Sequence, residues 1–299
     1  MTHFGDSIVE SSIQKNSAVI VGLDPIIEHF PKVFLPTEQC SIEESIFEFN
    51  KLVIDTVHPY IVAVKPQLAF YEVYGSAGIR ALEKTIAYAR YKELLVINDA
   101  KRGDIYTTGN AYAEAFLGKS PISGDAVTVN PFLGRDGIIP FIEKGREYGK
   151  GLFILLKTSN PSSGEIQDLI LQSGEKLYSH LATMIQEMSV NTIGIRGYSN
   201  IGVVIGATYP EVASKVRDYL PNTLFLVPGF GEQGGSLQNL RPFFNKKGEG
   251  ALVNSARGII YSYQKAFPET WSMLDKETIK KQILNKVIDT NNKINEIRK

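Results

Sequence analysis

The stretch LLVINDAKRGD, Leu94 to Asp104, carries an apolar run straight into two aspartates, a lysine and an arginine. The run is short, rich in branched aliphatic residues and apolar at consecutive positions. That pattern suits a strand covered on both faces of a parallel sheet. Side chains alternate faces along a strand, so Asp99 and Lys101 point the same way. The charge therefore gathers at the C-terminal end of a strand whose earlier residues lie inside the protein.

The same arrangement recurs along the chain. Apolar runs at AVIVGLD (18–24), YIVAVKPQ (60–67), AVTVNP (126–131), GLFILLKTS (151–159), IGVVIGAT (201–208), TLFLVPGFG (223–231) and GALVNSARG (250–258) join LLVINDAK (94–101) to make eight. Helices are expected between them, at 41–57, 75–91, 109–117, 137–148, 174–188 and 210–219. Eight strands alternating with helices predict an α/β fold of the TIM (β/α)8 barrel type. No Pro/Gly/Ser linker divides the pattern, so one domain is expected over residues 1–299. Two inserts are longer than a minimal connection, PIIEHFPKVFLPTEQC after the first strand and NPSSGEIQDLILQSGEK after the fifth. Both follow strand C-termini and are expected to cover a substrate. The tail from Asp275 reads as an amphipathic helix with Ile279, Ile283, Val287 and Ile288 on one face.

Composition limits the partners. Lys plus Arg equals Asp plus Glu at 32 each, so no overall field recruits nucleic acid or an anionic membrane, and any anion must be captured locally. The single cysteine, Cys40, can form no internal disulfide and no cysteine-rich metal site, which fits a reducing, cytoplasmic setting. Residues 1–16 carry acids and no signal-peptide core, and nowhere do ~18 apolar residues run together, so neither export nor a membrane span is expected. His3, His29, His58 and His180 are scattered, so no metal site is expected from them.

Polar groups collect at the strand ends: Asp24, Lys65 with Gln67, Asp99 with Lys101, Asn130, Thr158 with Ser159, Thr208, Gly229 with Gly231, and Asn254 with Arg257. This asymmetry marks the mouth of a barrel, where such enzymes build their sites. Lys65 on the neighbouring strand joins Asp99 and Lys101, so two ammonium groups and a carboxylate share one cavity and must neutralise one another. The stretch VPGFGEQGG, Val227 to Gly235, contains a formal GxGxxG, but it follows the seventh strand and not the first, where a dinucleotide fingerprint would sit. At that place in a barrel the loops after the last two strands commonly cradle a phosphate, with Arg257 available for a bidentate contact.

With these residues in place the chain resembles the orotidine 5′-phosphate decarboxylase family, in its longer bacterial subgroup. The family's D-x-K-x-x-D motif is matched by Asp99, Lys101 and Asp104, its strand 2 lysine by Lys65 and its strand 1 aspartate by Asp24. PGFGEQGG matches the phosphate motif, with Gln233, Gly234 and Gly235, and Arg257 matches the phosphate arginine. Ser159 falls where the family reads the pyrimidine edge, and Thr108 where a threonine of the partner subunit reaches the ribose. The resemblance implies decarboxylation of orotidine 5′-phosphate to UMP in pyrimidine biosynthesis, with no metal or organic cofactor. It further implies a homodimer in which Asp104 and Thr108 serve the neighbouring site, which accounts for the odd offset of Asp104 from Lys101.

Two other readings use the same residues. A metal-dependent sugar-phosphate decarboxylase or aldolase of similar barrel type shares D-x-K-x-x-D and the phosphate loop, but looks as if it needs a carboxylate at the end of strand 2, where this chain has Lys65. A non-catalytic barrel binding a phosphorylated ligand would have no use for Lys65, Asp99, Lys101 and Asp104 together, since such a network is costly to bury.

Overall fold

The computed structural model describes residues 3–230 and 237–298. Each apolar run contains a strand: β1 (Val19–Leu23), β2 (Ala63–Pro66), β3 (Leu95–Arg102), β4 (Ala126–Val129), β5 (Gly151–Lys157), β6 (Ile201–Ile205), β7 (Phe225–Val227) and β8 (Ala251–Ser255). They pair in parallel in chain order, and β8 returns to β1 from Val19–Val253 to Val21–Ser255, which closes the barrel. Closure leaves no strand edge unpaired. Helices Ile42–Val57, Gly75–Tyr91, Tyr106–Leu117, Ile139–Tyr148, Leu177–Ser189, Pro210–Tyr219 and Lys276–Arg298 surround it. This is the expected (β/α)8 architecture. Among the described residues no helix is long and apolar enough to cross a membrane.

Alternation along the strands sorts the core into two clusters. Val19, Val21, Val64, Val96, Val127, Val129, Ile154, Val203, Phe225 and Val253 face the helices. Ile20, Ala63, Ile97, Ala126, Phe153, Val204, Leu226 and Leu252 fill the barrel. Two residues further along β2, β3, β4 and β8, this set leads to Lys65, Asp99, Thr128 and Asn254, all buried. The interior is thus apolar below and polar above, because a strand that alternates need change only its last inward residue to change the chemistry of the barrel's mouth.

The floor is made by a helix that the sequence reading did not anticipate, Phe4–Gln14. Its Phe4, Ile8 and Val9 join the interior cluster, and Phe4 meets Phe153 edge-on at 5.9 Å between centroids. A Cβ on Gly151 would lie 2.1 Å from the Phe4 ring, and one on Gly202 would lie 2.4 Å from Phe153, so both glycines make room for this stack. Asp6 holds the helix in place by accepting from the backbone N–H groups of Ile195 (3.2 Å) and Arg196 (2.7 Å).

The two inserts part company. The one after β1 lies outside the barrel: Phe30 stacks on Phe49 at 4.2 Å, Phe34 meets the same ring edge-on at 5.5 Å, and Tyr263 Oη donates to the His29 carbonyl at 2.8 Å. None of residues 25–40 lines the cavity at the strand ends, which corrects the expectation that this insert covers the substrate. Its apolar side chains found a larger aromatic surface on the helices than the polar mouth offers. The insert after β5 does reach the cavity, through Asn160, Ile166 and Gln167. The C-terminal helix packs as expected, with Ile279, Ile283, Val287 and Ile294 buried and Ile288 only partly so.

Replacing Phe4 by Ala should leave a hole under the barrel that the closed sheet cannot collapse into. The expected cost is ~3–5 kcal/mol of unfolding free energy, read from urea denaturation midpoints. A change within error of zero would mean that the floor helix contributes nothing to barrel stability.

Candidate active site

A cavity of about 810 Å³ opens at the C-terminal ends of the strands. Asp99 sits on its wall at the centre of a four-donor network. Its Oδ2 accepts from Lys65 Nζ at 2.5 Å and Gln67 Nε2 at 3.0 Å, and its Oδ1 accepts from Lys101 Nζ at 2.5 Å and Thr128 Oγ1 at 3.2 Å. Burial would raise the Asp99 pKa. The charges and hydrogen bonds of Lys65 and Lys101 outweigh that and hold its carboxyl well below the usual carboxylate range. The two lysines differ in setting: the Lys65 side chain is 5% exposed and that of Lys101 is 44% exposed. Both line the cavity, Lys65 as a nearly buried side chain against Asp99 and Lys101 as the more exposed of the two.

Arg102, next in the motif, turns the other way. It pairs with Glu72 and lies over the rings of Tyr112 and Phe116 at 5.9 and 5.8 Å. The strand end is therefore rich in charge because inward and outward positions use it separately.

Asp24, Ser159 and Arg257 also line the cavity. Asp24 is held from behind by Tyr261, whose hydroxyl donates to the Asp24 carbonyl at 2.7 Å and accepts from the Ile26 N–H at 2.8 Å. Burial pushes the Tyr261 hydroxyl pKa far up, so it stays a neutral donor. Tyr261 belongs to the segment that follows Arg257, and it links the loops after β1 and β8. Gln167 lines the cavity from the second insert, bracing Thr158 through Oε1 to its N–H (2.9 Å) and Nε2 to its Oγ1 (2.8 Å).

Asp104 and Thr108 lie outside the cavity of their own chain. Asp104 accepts from the Ile105 N–H at 2.8 Å, and Thr108 is exposed in the first turn of the helix Tyr106–Leu117, which starts three residues earlier than expected. Gln233, Gly234 and Gly235 lie outside the described residues. Lys157, at the end of β5, is not one of the cavity residues. A register shift between Leu155 and Lys157 interrupts the alternation of β5. The Lys157 ammonium instead pairs with Asp168 at 2.7 Å and lies 4.5 Å from the Tyr209 ring centroid, pinning the second insert to the barrel.

Thr128 and Tyr261 escaped the sequence reading. Thr128 had a signal, since it precedes Asn130 by two residues on an inward-facing row. Tyr261 had none, because its role depends on how a later loop packs against an earlier one. Among the described residues no group of three or more His, Cys, Asp or Glu is arranged to hold a metal ion.

The family model described as Orotidine 5′-phosphate decarboxylase / HUMPS family matches residues 17–267. The chain belongs to this family. It is 42% identical over 279 residues to an orotidine 5′-phosphate decarboxylase of Caldicellulosiruptor bescii, covering 88% of this chain and 91% of that one. It is 38% identical over 274 residues to one of Rhodopirellula baltica, covering 89% and 90%. Among solved structures, Leishmania donovani OMP decarboxylase superposes with a TM-score of 0.77 at 30% identity, with 99% of each chain covered. The UMP synthase of the same organism superposes at 0.79 and 31% identity, with all of this chain lying on 57% of that one. The family description spans two chemistries, and the relatives at 42% and 38% identity carry the decarboxylase name.

Because the Asp99 pKa is depressed on folding, its carboxylate stabilises the fold above the unfolded value of about 4, and that stability is lost as the pH falls through the folded value. The difference in unfolding free energy between the parent and Asp99→Asn should stay level from about pH 8 to 5 and shrink below about pH 4. Paired denaturation curves across that range would check it; a difference that widened on acidification would reverse the sign assigned to Asp99.

Proposed function

We propose that this chain decarboxylates orotidine 5′-phosphate to UMP by charge placement alone, with Lys101 as the group that both stabilises the reacting carbon and protonates it. The observation that carries the reading is the row Lys65–Asp99–Lys101, in which one buried carboxylate holds two ammonium groups at the cavity wall, Lys65 nearly buried and Lys101 the more exposed. When the bond from C6 to the carboxylate breaks, carbon dioxide leaves neutral and the electron pair stays on C6, in the plane of the ring, where the π system cannot spread it. A cation beside C6 lowers the energy of that pair, and an Nζ proton of Lys101 then completes the C–H bond. Asp99 keeps Lys101 in place and Lys65 balances Asp99. UMP formation places the reaction in pyrimidine biosynthesis, as the family implies.

Two unit charges near 4 Å interact by ~4 kcal/mol at an effective dielectric of 20, whereas enzymes supply roughly 8–23 kcal/mol. Lys101 therefore needs help from a pre-ordered, water-poor setting and from binding energy at the phosphate. Arg257, at the cavity rim after β8, is the described candidate for that phosphate, together with Gln233, Gly234 and Gly235 of the glycine-rich motif. Asp24 suits the ribose and Ser159 the pyrimidine edge.

The working unit in this reading is a homodimer. Asp104 and Thr108 face away from their own cavity, in a region where Ile105, Tyr106, Phe132 and Leu133 are exposed at 42%, 73%, 81% and 48%. Phe132 also lines the cavity, so a second copy seated on this patch would cover apolar surface and bring Asp104 toward the facing Lys101. The single half-buried cysteine, Cys40, suits a cytoplasmic setting.

Loss of ultraviolet absorbance from orotidine 5′-phosphate measures turnover directly. Lys101→Ala should lower kcat by at least ~10³-fold, the equivalent of one such charge interaction; parental turnover would remove Lys101 from the chemistry. Arg257→Ala should cut kcat/KM roughly 10- to 100-fold, the worth of a charged hydrogen bond, and no change would take Arg257 out of the phosphate site. Equal mixing of inactive Lys101→Ala and Asp104→Ala chains should recover about a quarter of parental activity, because half the dimers are mixed and each mixed dimer holds one intact site. No recovery after verified subunit exchange would argue against sharing of Asp104.

A further inference from the structure

The pairing of β3 with β4 breaks where the catalytic motif begins. Ile97 lies opposite Ala126 and Asn98 opposite Val127, and pairing resumes only at Arg102 opposite Val129. Between those points β3 contributes Asp99, Ala100 and Lys101, whereas β4 contributes Thr128 alone. β3 therefore bulges, and Lys101 takes a left-handed backbone conformation with φ 48°. A side chain with a Cβ adopts that conformation only when its surroundings hold it there, and a bulge removes the regular ladder partners that would otherwise do so.

Thr128 supplies the missing partner. Its Oγ1 accepts from the Lys101 backbone N–H at 2.8 Å and donates to Asp99 Oδ1 at 3.2 Å, the same carboxylate oxygen that takes the Lys101 ammonium at 2.5 Å. One hydroxyl, 1% exposed as a residue, is thus used once as acceptor and once as donor. The ring it closes runs from the Lys101 backbone through Thr128 and Asp99 back to the Lys101 ammonium. Valine would fill the same space and suit the same strand, yet it could make neither bond.

We propose that Thr128, itself at the cavity wall, is a positioning residue for Lys101: its hydroxyl, already bonded to the Lys101 backbone and to Asp99, holds the left-handed turn that aims the ammonium into the cavity, and so governs the rate of the chemical step through Lys101. The proposal rests on the reading of Lys101 as the proton donor. Its geometric part, the backbone conformation, can be tested without that reading.

Thr128→Val, Thr128→Ser and Lys101→Ala should be compared by steady-state kinetics on orotidine 5′-phosphate, thermal unfolding and crystallography. The Val variant should lose kcat on the order of 10- to 100-fold, with KM within about threefold of parent, as displacement of a reacting group predicts. Its crystal structure should show Lys101 out of the positive-φ region, and the Ser variant should return kcat to within about threefold of parent. Parental kcat in Thr128→Val, or a folded Thr128→Ser as slow as Thr128→Val, would overturn the proposal. Should the Val variant fail to fold, Thr128→Ala against Thr128→Ser decides the same point: Ala slow and Ser fast supports the role of the hydroxyl, and equal rates refute it. Full turnover in Lys101→Ala would sink the reading of the site and this inference with it, whereas an inactive Lys101→Ala beside a fast Thr128→Val would sink the inference alone.

Discussion

A carboxylate buried between two ammonium groups is the constraint on which this molecule depends. Burial by itself would favour the protonated form of Asp99, because a low-dielectric interior penalises any lone charge. Together with Lys65 and Lys101 it forms a row of alternating sign, with Gln67 and Thr128 filling the remaining positions on the carboxylate. The surplus positive charge of that row points into the cavity. Much of the surrounding structure serves to keep the row dry at one end and open at the other.

The barrel meets that demand through its layering. Below the row, Ile97, Ala126, Phe153 and Leu252 pack with the floor helix around Phe4 as one buried apolar cluster. Above it, the loops after β1, β5 and β8 supply polar groups to the cavity. Tyr261 joins the first of these loops to the last, and Lys157 with Asp168 clamps the middle one. These braces lie outside the cavity, and the lining residues take their positions from them. Among the described residues four non-glycine positions have a left-handed backbone, Lys101 and Tyr106 in and just after the motif, and Asn16 and Glu93 away from the cavity.

The family relation and the geometry bear on different questions. Identity of 42% over most of the chain assigns the family, whereas the distances around Asp99 give physical roles to individual side chains. Lys65 at the end of β2, bonded to Asp99, occupies the place where a metal-binding barrel of this type would be expected to carry a carboxylate.

Runs of consecutive apolar residues located the eight strands, and their number the barrel, because such runs are a local property of sequence; alternation pointed to Lys65 and Asp99, whereas Lys101 lies within the break in β3–β4 pairing. Arg257, expected at the barrel mouth, lines the cavity, whereas residues 231–236 of the glycine-rich stretch lie outside the described residues. What depended on contacts between distant segments was not legible in the sequence. The first insert was expected over the cavity and lies on the outer helices, since local sequence does not say which of two surfaces offers an aromatic residue more contact. Lys157 leaves the cavity where a register shift interrupts β5, and the second bond of Thr128, to the Lys101 backbone, follows only from the bulge in β3. Tertiary structure decided these points because bulges and loop docking are set by the whole closed sheet, whereas hydrophobic pattern is set by each strand on its own.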